Sequence, residues 1–266
     1  MNTFGYQEPT STANAAASAG GNPDARYLAG GQSLLAAMKL GLATPAELVD
    51  LNHVPELRGI KVEANGAAIT IAAMTRHAEV AASLEVGARI PALAGLAGAI
   101  GDRQVRNRGT LGGSLANNDP AADYPAAVLG LGATVNTNTR QVAADDFFRG
   151  LFETALAPGE LVMSVTFPVP KKAAYLKFRN PASRFAVVGV FVALTAQGPR
   201  VAVTGAGARG VFRAKPMEQA LAREWSARAI ESIAIPAADL QSDLHASAEY
   251  RAHLVSVLAR RAVAAA

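Results

Sequence analysis

Ala29-Gly30-Gly31-Gln32-Ser33 lies between a short strand-like run, Arg26-Tyr27-Leu28, and an apolar helical pattern from Leu34 to Leu40. Two glycines at a strand-to-helix junction let the backbone turn sharply, and without a Cβ an anion can approach the peptide N–H groups. The helix beginning near Ser33 adds the positive end of its dipole, and the serine hydroxyl adds a donor. The segment therefore reads as a phosphate cradle, or simply as a tight turn. It is neither a Walker loop nor a Gly-x-Gly-x-x-Gly fingerprint.

A second segment repeats the theme eighty residues on. Thr110-Leu111-Gly112-Gly113-Ser114 again pairs two glycines with hydroxyls, and Asn117, Asn118, Asp119 and Asp123 follow. Asp123 is placed to accept hydrogen bonds from ribose hydroxyls or from a flavin edge. Asn118 and Asp119 read equally as an Asx-rich turn capping a helix that starts near Pro120. One glycine turn serves one phosphate, whereas two turns from distant parts of a chain suit the diphosphate of a dinucleotide such as FAD. In a third segment, Tyr175-Leu176-Lys177-Phe178-Arg179-Asn180-Pro181-Ala182-Ser183-Arg184-Phe185-Ala186, Lys177 is either a cation near a flavin ring or one charge on an exposed alternating strand.

Outward from these segments the chain mixes elements. Ser11 precedes an alanine-rich helix to Ala19, and Glu47 to Leu51 reads as a strand. Gly59 to Glu63 and Ala68 to Ala72 flank Asn65-Gly66, a hairpin signal in which both turn positions favour positive φ. Thr75 is placed to cap a helix through Ser83, and Pro91 to Ile100 forms another. Gly101 to Asp123 reads as loop-rich. Ala126 to Leu131 is helical. Ala133 to Thr137, Leu161 to Phe167, Tyr175 to Phe178, Val187 to Thr195 and Val201 to Thr204 are strand-like. Lys215 begins a helix, and Ala246 to Ala264 a long terminal one in which Leu254, Leu258 and Arg261 share a face. Without regular βαβ alternation, the class is α+β. Phe167-Pro168-Val169-Pro170-Lys171-Lys172 marks a boundary, giving domains over 1–170 and 171–266.

Composition narrows the function. The 266 residues are 50% hydrophobic and contain no cysteine, which excludes disulfides, thiol nucleophiles and cysteine-held iron–sulfur clusters within the chain. The four histidines are widely spaced, without His-x3-His pairing, and no metal site is expected. Net charge is +4, and the densest basic cluster, Arg103, Arg106 and Arg108, reads as a solvated loop. A broad basic face with aromatics, the mark of nucleic-acid binding, is missing. No apolar run reaches the ~18–20 residues that span a bilayer, and the first residues lack a basic then apolar leader, so a cytoplasmic protein is expected. Asp145, Asp146 and Glu160 are candidate acid–base groups, but Phe147-Phe148 beside the aspartates favours a loop anchored by aromatics. Trp225 and its arginines read as surface helix. No catalytic residue is assigned.

These blocks, in this order, resemble the FAD-binding medium subunit of molybdenum hydroxylases, the group of aerobic carbon monoxide dehydrogenase and xanthine dehydrogenase. The resemblance rests on Ala29 to Leu35, Leu48-Val49-Asp50-Leu51, Gly101-Asp102-Arg103-Gln104-Val105-Arg106-Asn107-Arg108-Gly109-Thr110-Leu111-Gly112-Gly113-Ser114, Asp119 to Pro125 and Gly159-Glu160-Leu161-Val162, and it extends to Asp243–Arg251. It implies an FAD-binding domain of the vanillyl-alcohol-oxidase (PCMH) type, with lobes about 1–55 and 56–170, followed by a smaller α+β domain. It implies that Ala29, Gly30, Gly31, Gln32, Ser33 and Leu34, with Thr110, Leu111, Gly112, Gly113, Ser114 and Asn117, hold FAD. It puts Asp123 on the cofactor, Lys177 near the flavin ring, and the Leu161 or Val162 backbone against the isoalloxazine. It also implies partners: a large molybdopterin-binding subunit and a small [2Fe–2S] subunit, assembled as a dimer of heterotrimers. Electrons would pass from the clusters through FAD to an external acceptor. The alternative is a self-sufficient FAD-dependent oxidase or reductase on the same cofactor fold.

Overall fold

The computed structural model describes residues 3–266. The first fifty residues alternate strand and helix: β1 (Gly5–Gln7), α1 (Thr12–Gly20), β2 (Ala25–Leu28), α2 (Leu34–Lys39) and β3 (Glu47–Asp50). Ser11 caps α1 through its hydroxyl, which accepts from the Asn14 N–H at 3.2 Å. The strands form a parallel sheet in the order β1-β3-β2, with β3 buried at its centre. This small βαβ unit, not foreseen from the sequence, sits inside an α+β whole.

The next section carries β4 (Ile60–Val62), β5 (Ala68–Ala72), α3 (His77–Ala82), α4 (Leu84–Arg89), α5 (Pro91–Gly98), α6 (Arg103–Arg108), α7 (Leu111–Asn117) and α8 (Tyr124–Leu131). It continues through β6 (Thr134–Thr137), β7 (Gln141–Ala143), α9 (Ala144–Phe147), β8 (Phe148–Gly150), β9 (Glu153–Thr154) and β10 (Val162–Pro168). The five-stranded antiparallel sheet runs β4-β5-β10-β6-β7. On β5, Ile69 and Ile71 point into the core while Thr70 meets Thr166 across the sheet at 2.9 Å, the period-two alternation of a half-buried strand.

Several expectations here are corrected. Gly101 to Asp123 is largely helical, because Asp102 and Thr110 act as N-caps: Asp102 Oδ1 accepts from Val105 N at 2.8 Å, and Thr110 Oγ1 from Gly113 N at 3.2 Å. Thr75 caps nothing. Its hydroxyl donates to Gly59 O at 3.0 Å, and α3 starts two residues later. In the hairpin only Gly66 adopts positive φ, since the loop is longer than two residues and the Asn65 side chain accepts from Ala67 N instead. The helix expected from Pro120 begins at Tyr124, because the Asp119 carboxylate holds the preceding turn by accepting from Ala121 N at 2.8 Å.

The last section comprises β11 (Lys172–Arg179), β12 (Ala186–Thr195), β13 (Gly198–Thr204), β14 (Phe212–Arg213), α10 (Lys215–Arg223) and α11 (Ala248–Ala265), with the four strands antiparallel in chain order. β12 is a continuous apolar run because both its faces are covered. Phe191 and Ala193 join the core of the preceding sections, whereas Val188, Val190 and Val192 face α10 and α11. Leu254 and Leu258 lie on the buried face of α11, as their spacing indicates, but Arg261 is exposed; Arg251 takes the polar place on that face. Trp225 lies beyond α10, half-buried against the second core.

Candidate functional site

The two glycine segments meet. A Cβ built on Gly30 would lie 2.2 Å from Arg108 O and 2.8 Å from Gly109 Cα, and one on Gly113 would lie 3.4 Å from Ala29 Cβ. Gly112 is packed as closely, 2.5 Å from the Ala73 Cβ on the same measure. Glycine at position 30 thus serves the approach of one segment to the other, and glycine at position 112 the seating of the second segment on Ala73. Gly31 differs: its φ of 71° is left-handed, the conformation that turns β2 into α2. Between and beside the segments runs a cleft of ≈ 570 Å³, within the range of cofactor pockets.

The segments differ in what they offer. No acceptor among the described residues takes the peptide N–H groups of Gly30, Gly31, Gln32, Ser33 or Leu34, all of which line the cleft. Five consecutive free donors around a left-handed glycine form an anion-binding nest. The second segment spends its donors internally. Leu111 N donates to Thr75 O, Gly112 N to Ala73 O, Gly113 N to Thr110 Oγ1 and Ser114 N to Thr110 O. It forms a wall to which Thr110, Gly112, Gly113, Ser114 and Asn117 contribute, while Leu111 is fully buried behind it.

Asp123 lines the cleft just before α8, with its carboxylate engaged from behind. Tyr175 Oη donates to Oδ1 at 2.5 Å, and Lys177 Nζ donates to Oδ1 at 2.9 Å and Oδ2 at 3.1 Å. Burial pushes the Asp123 carboxyl up, against the opposing pull of Lys177 and Tyr175. Lys177 does not itself line the cleft. Its side chain is 6% exposed and supports Asp123 from the neighbouring sheet, so the exposed-strand alternative does not hold for it.

Leu161 and Val162 line the cleft at the start of β10. The loop before them is fixed by Glu160, which accepts from Thr137, Thr139, Arg140 and the Ala157 N–H. Chiefly through Arg140, these bonds hold its carboxyl well below the usual range. Tyr27 on β2 crosses to this loop, donating to Gly159 O at 2.8 Å, and burial raises its hydroxyl to about 12. Asp145 lies elsewhere, bound by Arg200 and Arg213, which hold it low against the effect of burial.

Two groups at the cleft were given no role in the sequence reading. His77 stands at the first position of α3, fully inside the wall. Ser183, Arg184 and Phe185, in the β11–β12 loop, close one end: Arg184 takes a φ of 63°, and Phe185 is 49% exposed. Neither carries a local motif, because each reaches the cleft only through tertiary placement.

A strand–glycine turn–helix with free amides, braced by a second glycine segment across an apolar cleft, defines a nucleotide-cofactor-binding protein. Residues 2–170 match the family of the FAD binding domain in molybdopterin dehydrogenase, and the chain belongs to that family. The cofactor is FAD, and the chain is a component of an oxidoreductase complex. It is 34% identical to the carbon monoxide dehydrogenase medium chain of Hydrogenophaga pseudoflava, over 99% of this chain and 96% of that one. It is 33% identical to the glyceraldehyde dehydrogenase medium chain of Sulfolobus acidocaldarius, over 97% and 96% respectively. Its fold superposes on a chain of the reconstituted CO dehydrogenase from Oligotropha carboxidovorans with a TM-score of 0.90 and 34% identity, covering 99% of this chain and 97% of that one.

Proposed function

We propose that this chain is the electron-transfer subunit of a heteromeric molybdenum hydroxylase, receiving electrons from [2Fe–2S] clusters in a small partner and passing them to an external acceptor. Bound FAD supplies a carrier able to take and release electrons singly or in pairs. The chain's residues bind and orient it: the Gly30–Leu34 amides face its diphosphate, Ser114 and Asn117 lie along the opposite wall, and Asp123 is held ready by Lys177 and Tyr175.

The observation that carries this reading is the state of the cleft's carboxylates. Asp123 is tied to Lys177 and Tyr175, Glu160 to Arg140, and Asp119 to the Ala121 N–H. The Tyr27 hydroxyl is engaged as a hydrogen-bond donor to Gly159 O. A self-sufficient oxidase needs a basic group free to take a proton from its substrate; these groups are engaged, and His77, the unpartnered base of the wall among the described residues, is lowered by burial to about 4 and is a weak base. The relatives' substrates, carbon monoxide and glyceraldehyde, differ while their medium chains share this length, in keeping with substrate chemistry on a large molybdopterin-binding partner. A dimer of heterotrimers completes the proposal.

The test is reconstitution. The FAD-loaded chain alone is expected to leave aldehydes and N-heterocycles unchanged, and its flavin absorbance is expected to bleach with substrate only when the molybdopterin and iron–sulfur subunits are present. Turnover by the isolated chain would replace this reading with the self-sufficient one.

A further inference from the structure

His77 is the buried polar side chain of the cleft wall that lacks a partner. It is 5% exposed, and neither ring nitrogen has a hydrogen-bond partner among the described residues; Nδ1 is closed off from solvent, so Nε2 is the atom left to meet a ligand in the cleft. The neighbouring Tyr124 ring, 5.3 Å away between centroids, has an equally unpartnered hydroxyl, so the two do not satisfy each other. Burial, with a smaller effect from Arg106, lowers the imidazole to about 4 and keeps it neutral near neutral pH. A neutral imidazole carries one donor and one acceptor, and buried polar atoms are rarely left unpaired.

The ring is positioned by the second glycine segment. His77 N donates to Gly109 O at 3.0 Å, Leu111 N donates to Thr75 O at 3.1 Å, and Arg76 and Thr110 form an antiparallel bridge between them. A Cβ on Gly109 would lie 2.5 Å from His77 Nε2 and 2.8 Å from its Cδ2, with the Val105 carbonyl oxygen a looser neighbour at 3.1 Å. Gly109 has φ −60° and ψ 143°, an extended conformation open to any residue. Space, first for the imidazole and then beside the Val105 carbonyl, and not backbone geometry, is therefore what favours glycine here.

We propose that His77 is an FAD-binding residue whose imidazole hydrogen-bonds a polar atom of the cofactor, and that Gly109 is glycine to leave room for that ring. This rests on the assignment of the cleft to FAD. The test titrates FAD into the full-length apo-chain by flavin fluorescence, with circular dichroism confirming the fold. His77→Ala and Gly109→Ala are each expected to weaken binding by about tenfold, the loss of one buried hydrogen bond. The double variant H77A/G109A is expected to bind like H77A alone, because the shortened side chain leaves the new methyl its space. His77→Phe, which keeps a ring without polar atoms, is expected to show the same loss and serves where H77A does not fold. Affinities of H77A or H77F within about twofold of the unaltered chain, or fully additive losses in the double variant, would overturn the proposal. An unaltered chain that takes up no FAD would instead overturn the cofactor assignment, and this inference with it.

Discussion

The carbonyl oxygen of Arg108 lies 2.2 Å from the point where a Cβ on Gly30 would stand. That close approach joins two segments separated by almost eighty residues, at a cleft that Gly30 and Gly109 both line. Backbone cannot yield as a flexible side chain does, so Gly30→Ala must separate the segments. Overpacking of this kind costs about 1–3 kcal/mol. We expect Gly30→Ala to lower the denaturant midpoint accordingly and to lose FAD on gel filtration. Gly41→Ala, at a glycine whose Cβ would meet nothing within 4 Å, is the control: its φ of 73° costs stability but leaves FAD bound.

The buried Lys177–Asp123 pair gives a second prediction. Removing one partner leaves the other charge buried without compensation, a loss of roughly 3–5 kcal/mol. Asp123→Ala and Lys177→Met are each expected to destabilise strongly in urea unfolding. The double variant is expected to be more stable than the sum of the two single losses implies, because no orphan charge remains.

Acid stability follows from His77. Its folded value, lowered to about 4, lies below its unfolded value near 6.5, so between these limits the unfolded chain binds the extra proton. Stability is full above about pH 6.5 and falls as pH drops toward 4. His77 alone contributes a loss of about 2 kcal/mol from pH 7 to pH 5, opposed by Asp123, whose raised carboxyl takes up its proton in the folded chain before the unfolded one. Glu160, held low, loses its contribution only below its usual value of 4.5, outside this window. Urea unfolding at the two pH values is expected to show the drop in the unaltered chain and a much smaller one in His77→Gln.

A division of the chain near Pro170 remains our proposal, but the two sides share a core. A Cβ on Gly130 of α8 would lie 2.6 Å from Phe191 Cδ1 on β12. Phe191, Ala193 and Ala202 belong to the same buried cluster as residues of α8 and β10. A fragment of residues 1–170 is therefore expected to expose α8 and to bind the dye ANS, whereas the full chain does not. A fragment as stable as the full chain would show that the cores are independent.

The sequence showed the α+β class, most strands and both glycine segments, because hydrophobic period and glycine pairs are local signals. It did not show that Gly112 and Gly113 sit in the first turn of a helix, since the deciding N-cap at Thr110 resembled a loop residue. Free amides at Gly30–Leu34 and engaged ones at Leu111–Ser114 could not be told apart without partners distant in the chain, such as Ala73 and Thr75. Lys177 was found as a residue of interest, but its placement under Asp123 depends on how two sheets meet. His77 was invisible because one histidine at the start of a short helix carries no pattern of its own.

The Gly30–Leu34 amides are the proposed receptors of the cofactor's diphosphate. A crystal structure of the full chain with FAD tests this most directly. The account predicts phosphate oxygens within hydrogen-bond distance of several of those five N–H groups, with the flavin extending past Asp123 toward Leu161 and Val162. Density for FAD elsewhere, or a cleft whose amides contact no phosphate, would contradict it.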